Sequence, residues 1–574
     1  MKFRWNIAEV DSLLARPLEA TLGISPLLAH CLVQRQVTEP ESARLFLEPR
    51  LKSLSDPYLL PNMERAVDRL FAAHAARERM VIFGDYDVDG VTATALLKTS
   101  LTTLGWQVDH YLPHRMDEGY GLSQAGVENC LARFPVPLLL AVDCGSTATE
   151  QVGWMAARGV EVIVLDHHQV ADPPPPAVAL VNPQLGPDGL HHPRALCSAA
   201  LAFKLLHALL RRGRELELER FARFDIKPLL DLVALGTVAD LVPLRGENRI
   251  LVSAGLKRLE TTDRPGLVAL KEVSQTRSPI GVYEVGFQLG PRLNAAGRLE
   301  TAEAALELLL AEDLESARPL AEALDTTNRE RQAIEKQMAD DVVGLVRSKF
   351  RPEHDFVIVE GALHWHIGVV GIVAARVLRE FYRPTIILGG DNELWRGSGR
   401  SIPGFDLAAA LRECGDLLER HGGHAMAAGV TIQPNRLAAL RERLNGAART
   451  ALPAELLRPE LRLDARIPLR ELTVDRLSEL MRLQPFGQGN PALQFLIPRV
   501  TLASPAQKLG RQQQHWKFRL TDGQAYVDAL WWGAVEAGDA PPSGTFDVAA
   551  VPQLETFNGR TLVRLKFLDW RPAS

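Results

Sequence analysis

Val81-Ile82-Phe83-Gly84-Asp85-Tyr86-Asp87-Val88-Asp89-Gly90 is the stretch on which the reading of this chain turns. Met80 to Phe83 is apolar throughout, as a strand buried on both faces is. From Val91 the positions Val91, Ala95, Leu96 and Thr99 follow the spacing of one helical face. Asp85, Asp87 and Asp89 therefore fall between the carboxyl end of a strand and the start of a helix, where open α/β sheets place their ligand sites. Three carboxylates this close repel one another unless a cation lies between them, and hard oxygen donors suit Mg²⁺ or Mn²⁺. A solvated Asp-rich turn is the alternative, and so short a fragment leaves both open.

Outward from this stretch, the pattern repeats. The apolar run 138–142 ends at Asp143, followed by Cys144-Gly145-Ser146, and the run 161–165 ends at Asp166-His167-His168. Apolar strands alternate with helical stretches across 78–300, which implies a mainly parallel sheet covered on both faces. Each acidic strand end taken alone reads as a helix N-cap. Three of them on one edge of one sheet, with two histidines, point to a site. Asp240 follows the apolar helical run 232–239 and alone would be a turn residue; it enters because the other groups need a further ligand.

The chain has 574 residues, so several domains are expected. Its 46% hydrophobic and 24% charged content is that of a soluble globular protein. No apolar run reaches the roughly 18 residues of a membrane span, and Glu9 and Asp11 come too soon after the start for a signal peptide. The cysteines 31, 130, 144, 197 and 414 are odd in number and form no CxxC pair, so reduced thiols in a cytoplasmic protein are expected. A net charge of −5 neither advertises nor excludes a nucleic-acid partner, because a local basic groove suffices.

Gly84-Asp85-Tyr86-Asp87-Val88-Asp89-Gly90, Val142-Asp143-Cys144-Gly145, Asp166-His167-His168 and Gly236-Thr237-Val238-Ala239-Asp240 stand in the order and style of the DHH phosphoesterase superfamily. Within it, the chain resembles the RecJ branch, bacterial single-strand-specific DNA exonucleases, over essentially its whole length. Tyr111-Leu112-Pro113-His114-Arg115 with Gly119-Tyr120-Gly121-Leu122, and Gly290-Pro291-Arg292-Leu293-Asn294-Ala295-Ala296-Gly297-Arg298, resemble further motifs of that branch. One departure is Cys197-Ser198-Ala199-Ala200-Leu201, where relatives tend to be richer in glycine; it is expected to alter helix packing and not the metals.

The resemblance implies a hydrolase that degrades single-stranded DNA from 5′ to 3′ and releases 5′-mononucleotides by two-metal hydrolysis, in DNA repair and recombination. Two Mn²⁺ or Mg²⁺ ions are implied. Asp143 would bridge them, Asp87, Asp89, His167 and Asp240 would complete them, and Asp85 would be a direct or outer ligand. His168 would face the substrate or the leaving oxygen, Asp166 would hold the His pair, and Asn294 and Arg298 would steady the scissile phosphate. Arg115 would meet the terminal 5′ phosphate, and Arg292 would join it in substrate binding. A single-strand-binding protein and a RecQ-type helicase are implied as partners beside single-stranded DNA, with a monomeric chain and no membrane contact.

The expected architecture is α/β: two α/β lobes, DHH and DHHA1, joined by a long helix, plus a C-terminal antiparallel OB-like β-barrel. The expected boundaries are an N-terminal helical cap over 1–75, the DHH domain over 76–300, connecting helices over 301–352, the DHHA1 domain over 353–450 and the barrel over 455–574. Ser25-Pro26 and Glu39-Pro40 read as helix starts. In 353–450, Arg396-Gly397-Ser398-Gly399-Arg400 and His421-Gly422-Gly423-His424 read as loops whose small residues let an anion approach. The resemblance assigns strand contact to His366, Arg396, Ser398, Arg400, Gly422, Gly423 and His424. In 455–574, alternating segments carry four of the nine Trp (516, 531, 532, 570), either as barrel core or as stacking surfaces.

Other readings compete. A phosphodiesterase of short oligonucleotides or cyclic dinucleotides, or an inorganic pyrophosphatase, would share the acidic motifs, but such chains are shorter and lack the barrel. A relative without catalysis would keep the fold alone.

Overall fold

Residues 3–573, except 10, 115, 116, 120, 187–193 and 300, are described by a computed structural model; the side chain of Phe557 is outside the description as well. The chain divides into two units, Asp11–Asn328 with Glu479–Ala492, and Met1–Val10 with Arg329–Ser478 and Leu493–Ser574.

In the first unit the apolar runs pair into a parallel sheet. Among the described residues its strands lie in the spatial order Gln107–Tyr111, Arg79–Gly84, Leu138–Val142, Glu161–Leu165 and Ala179–Val181. Both faces are dry because alternate side chains enter different cores. Met80 and Ile82 pack with helices Met63–Ala76, Val88–Leu104, Ser198–Glu215 and Leu230–Ala239, while Val81 and Phe83 pack on the other face with Val127, Val152 and Met155. The chain runs outward from Arg79–Gly84 to Gln107–Tyr111 on one side, then crosses to Leu138–Val142 on the other. That reversal is a topological switch point, where the carboxyl ends of neighbouring strands leave a crevice. Asp85–Asp89 and Asp143 flank it.

The N-terminal helices begin where the sequence indicates. Ser25 accepts from the Leu28 amide, with Pro26 opening helix Pro26–Gln34, and Pro40 opens Pro40–Leu47. Two boundaries differ from expectation. Arg4–Ile7 is a strand rather than part of a helical cap: it pairs in parallel with Glu460–Leu463, and the Trp5 indole donates to Asp569. Phe3 and Trp5 bury against Leu461, Leu463 and Leu496, which ties this segment to the second unit. Conversely, Glu479–Ala492 lies in the first unit and not with the barrel. The buried Arg249 guanidinium donates to the carbonyls of Phe46, Leu483 and Gln484, and Arg35 donates to Asn490 Oδ1 and the Pro491 carbonyl. A turn rich in Pro and Gly has carbonyls without ladder partners, and these two arginines satisfy them.

Helix Leu314–Lys349 runs through the boundary at 328/329. In the second unit, among the described residues, a mixed sheet has the order Leu418–His424, Ala427–Ile432, Trp395–Arg400, Thr385–Gly390, Ile358–Ala362. Further along, Phe495–Leu502, His515–Thr521, Tyr526–Trp531, Phe546–Phe557 and Arg560–Pro572 close on themselves through the pairing of 495–502 with both 515–521 and 546–557. Tyr526–Trp531 and Arg560–Pro572 run parallel within this otherwise mostly antiparallel barrel, the arrangement of an OB-like fold.

Candidate metal centre

The Asp-rich stretch becomes a strand-to-helix turn. Asp87 caps helix Val88–Leu104, accepting from the amides of Asp89 and Gly90. Gly90 is required here, since a Cβ would lie 2.6 Å from the Asp85 carbonyl oxygen. Asp89, on the first turn, is buried at 1% exposure. Its two oxygens accept from the amides of Ser198 and Ala199 at 2.6 and 2.9 Å, the first turn of helix Ser198–Glu215. A helix N-terminus carries partial positive charge and stabilises the carboxylate. Gly236 lets helix Leu230–Ala239 approach the same carboxylate, for a Cβ there would lie 2.7 Å from Asp89 Oδ1.

Asp143 leaves its strand with φ 63, a left-handed backbone that Asp tolerates at a cost of about 1–2 kcal/mol. Its amide still donates to the Leu165 carbonyl. The kink turns the side chain toward Asp89. Ser198 Oγ donates to Asp143 Oδ1 at 2.9 Å. The segment 197–201, expected to affect packing alone, thus touches two of the acidic side chains directly. Ser198 was missed because nothing local in the sequence shows that its helix starts against another strand's end.

Asp166 accepts from the amides of His167, His168 and Ser146 and from His168 Nδ1 at 2.7 Å. Burial works to raise its pKa, but the His168 and Ser146 bonds win and hold it well below the ordinary carboxylate range. His168 shows the reciprocal effect. Burial pulls it down, Asp166 outweighs burial, and its pKa is lifted to about 9. For His167, burial outweighs the neighbouring carboxylates and lowers it.

His167 Nε2 faces Asp143 Oδ1 at 3.4 Å, Asp240 Oδ2 at 3.5 Å and Asp89 Oδ2 at 3.8 Å. These separations are too long for hydrogen bonds. His167 Nε2 and Asp240 Oδ2 are buried with no hydrogen-bond partner among the described residues. Burial, then the charge of Asp89 and Asp87, pushes Asp240 up to about 9. Burial, then Asp89, Asp87 and Asp85, puts Asp143 well above its ordinary value, and burial likewise raises Asp89. Buried groups left apart, unsatisfied and mutually repelling are what a cation would reconcile. Three sets converge within bonding reach of an ion: Asp89, His167 and Asp240; Asp143, His167 and His168; Asp85, Asp87 and Asp143. The donor set, carboxylate oxygens with imidazole nitrogen, fits Mn²⁺ or Mg²⁺.

Asn294 and Arg298 lie on helix Gly290–Leu299, and Asn294 Oδ1 accepts from the Val88 amide at 3.2 Å. Arg292 does not join them. Its guanidinium donates to Asp325 at 2.9 Å and to the Gln288 carbonyl, a structural pairing with only 16% of the side chain exposed. Arg115 lies outside the described residues.

In the second unit the two glycine segments expected as loops are strands. Trp395–Arg400 and Leu418–His424 flank Ala427–Ile432, with Ser398, Gly429 and Gly422 in one row across them and Arg400, Ala427 and His424 two rows on, on the same face. The glycines serve close packing: a Cβ on Gly399 would lie 2.5 Å from a Leu407 methyl. Strand alternation puts Arg396, Ser398 and Arg400 on one face. Arg400 donates to Ser398 Oγ and the Gly399 carbonyl, and among the described residues its guanidinium makes no ion pair. Burial lowers its pKa, and a Cβ on Gly371 would lie 3.1 Å from its Nη2, so this half-buried cation lies against the first turn of helix Val370–Phe381. His366 Nδ1 accepts from the Gly368 amide. Gly429, in the same row as Ser398, was not singled out by sequence.

Comparison with known proteins bears on the domains. Residues 79–237 match the DHH family, N-terminal domain, 354–450 the DHHA1 domain, and 463–569 the RecJ OB domain. The single-stranded-DNA-specific exonuclease RecJ of Bacillus subtilis is 37% identical over 99% of this chain and 71% of its own length. The crystal structure of RecJ in complex with Mn²⁺ from Thermus thermophilus superposes on 100% of this chain and 80% of that chain, with a TM-score of 0.84 and 32% identity. Its Mg²⁺ complex gives a TM-score of 0.79 at 31% identity, over 100% and 79%. With the acidic edge of its parallel sheet, its DHHA1 sheet and its barrel all accounted for within one lineage, the chain belongs to the RecJ family.

Proposed function

We propose that this protein is a divalent-metal-dependent exonuclease of single-stranded DNA that removes 5′-mononucleotides from the 5′ end. The observation that carries the reading is the convergence of Asp89, Asp143 and Asp240 on His167 at distances that suit a shared ion and not hydrogen bonds. Asp87, Asp89, Asp143, His167 and Asp240 would hold Mn²⁺ or Mg²⁺, with Asp85 beside them. Such ions, when bound, polarise a phosphate and lower the pKa of a water that attacks it.

The chain's own residues supply the rest. Asp166 holds the His168 ring through Nδ1, and His168 gives a proton to the departing 3′ oxygen. Asn294 and Arg298, next to the Asp-rich turn, are placed to steady charge on the phosphate. On the DHHA1 sheet, Arg396, Ser398, Arg400 and His424 bind backbone phosphates, with Gly422 and Gly423 allowing close approach. On the barrel, Trp532 is 52% exposed with its ring edge-on to His515, a surface for base stacking. The barrel also argues against a phosphodiesterase of dinucleotides, which has no use for a strand-holding domain. A place in DNA repair and recombination, a cytoplasmic location, a monomeric state, and work beside a single-strand-binding protein and a RecQ-type helicase go with this reading. No helix among the described residues is long and apolar enough to cross a membrane.

The test is a time course on a long 5′-phosphorylated single strand, labelled at either end, with Mn²⁺ or with EDTA. Mononucleotides from the 5′ end, with metal only, and none with Asp143→Ala, are expected. Cleavage confined to di- to pentanucleotides, or binding with no cleavage under either metal, overturns the reading.

A further inference from the structure

Tyr283 and Phe287 are the outlying pair among the exposed aromatics. They are 62% and 70% exposed, with ring centroids 5.0 Å apart and planes within 27°. Two large rings stacked on each other in water, with no core beneath them, call for a function.

Their position supplies one. Val282–Glu284, the π turn Val285–Leu289 and helix Gly290–Leu299 form one continuous helical run. Val285, Leu289, Leu293 and Ala296 are buried and define its core face. Away from that face the run carries Tyr283 and Phe287, both exposed, and then Asn294 and Arg298, both half-buried. The run therefore begins in two open rings and leads to Asn294, whose side chain holds the Val88 amide of the Asp-rich turn. A Cβ on Gly290 would lie 3.9 Å from Ala239 Cβ, so the run also passes beside the residue preceding Asp240. π turns are rare and concentrate at functional sites.

From this geometry we infer that Tyr283 and Phe287 are a stacking platform for bases of the single strand near the metal centre. This rests on the proposed exonuclease reading. Phe287 precedes Asn294 by seven positions, about 10 Å along the helix, and Tyr283 by eleven, about 16 Å. At about 3.4 Å per stacked nucleotide, these are roughly three and five nucleotides from the site. An enzyme that removes one terminal nucleotide at a time has only that nucleotide on the 5′ side of the cut. The platform thus engages bases on the 3′ side, in the strand about to be drawn in. Stacking is blind to base identity, because every base has a π face, so the platform grips without imposing sequence.

The experiment measures affinity of the full chain in EDTA, which stops cleavage, by fluorescence anisotropy on 5′-phosphorylated single strands. The strands are intact, abasic at nucleotides 3–6, or abasic at nucleotides 12–15. Tyr283→Ala, Phe287→Ala and Phe287→Leu are compared with the parent protein. Each substitution is expected to weaken binding roughly 5- to 100-fold on the intact strand and on the distal abasic strand. On the strand abasic at 3–6 the parent itself should bind weakly and the substitutions should cost nothing more. Phe287→Leu keeps apolar bulk and decides the matter if Phe287→Ala does not fold. Unchanged affinity on the intact strand, as expected if the rings dock a protein, overturns the platform, and so does equal loss on both abasic strands. Failure of the parent protein to cleave single strands with Mn²⁺ would instead refute the exonuclease reading, so the two failures are distinguishable.

Discussion

The Ser198 hydroxyl donates to Asp143 Oδ1 at 2.9 Å while the amide of the same residue donates to Asp89 Oδ2 at 2.6 Å. One residue at the start of one helix thereby sets the spacing between carboxylates from two different strand ends. Hydrogen bonds that orient metal-binding groups are typically worth ten- to a hundredfold in metal affinity. Ser198→Ala keeps the amide bond to Asp89 and removes the bond to Asp143. Mn²⁺ affinity, measured by titration calorimetry, is expected to fall about tenfold. An affinity equal to that of the parent protein would show that Asp143 needs no such support.

Charge at Asp143 is a liability until a cation arrives. Burial disfavours it first, and the neighbouring Asp89, Asp87, Asp85 and Asp166 add to the effect. Asp143→Asn keeps the shape and removes the acid. In EDTA this variant is expected to melt above the parent protein. With Mn²⁺ the order should reverse, since the parent gains about 2.7 kcal/mol at a hundred times its Kd and the variant gains less. Scanning fluorimetry under both conditions tests the crossing; a variant that melts lower in both would mean that the site is held by packing alone.

The same electrostatics give a pH dependence. Asp240, at about 9, and Asp89 and Asp143, also raised, keep protons in the fold that the unfolded chain gives up near pH 4. Stability of the metal-free protein therefore falls as pH rises above the unfolded value, at up to about 1.4 kcal/mol per pH unit for each group. His168, raised to about 9, adds in the same direction: its contribution is full below about pH 6.5 and is lost as pH rises through 9. His167, lowered by burial, opposes them below neutrality. In EDTA the melting temperature should decline between pH 6 and 8, and the stabilisation given by Mn²⁺ should grow over that range, because the ligands shed their protons to the solvent on binding metal. A metal-free melting temperature that climbs over this range would contradict the assignment.

The acidic edge was legible because its signal is local. An apolar run that stops at Asp, repeated three times, needs no knowledge of tertiary contacts. What was not legible depends on neighbours far away in the chain. Ser198 matters because of Asp89 and Asp143, and Gly236 because Asp89 lies where its Cβ would be. The glycine segments at 397–399 and 422–423 read as loops because Gly is a poor strand former. In the fold they are strands in which Gly397, Gly399 and Gly423 make room for Leu388, Leu407 and Ala428. Arg4–Ile7 was read as part of a helical cap because four residues carry no period of their own; their partner strand lies 456 positions on.

Arg292 and Arg400 separate what sequence alone placed together as substrate-binding arginines. Arg292 is paired with Asp325, both side chains largely buried. Removing one member of such a pair leaves the other charge uncompensated, which typically costs about 3–5 kcal/mol. Arg400 has no carboxylate to abandon among the described residues, and its guanidinium lies beside Ser398 and Gly371. Arg292→Ala is therefore expected to lower the melting temperature by several degrees and to leave single-strand affinity per folded molecule near the parent value. Arg400→Ala should barely move the melting temperature, weaken single-strand affinity several-fold and reduce the salt dependence of binding by about one ion. The two measurements, melting and anisotropy across a salt series, must move in opposite proportion for the two variants. Equal effects of both substitutions on affinity would return Arg292 to the substrate path and make its bond to Asp325 a resting contact that the strand displaces.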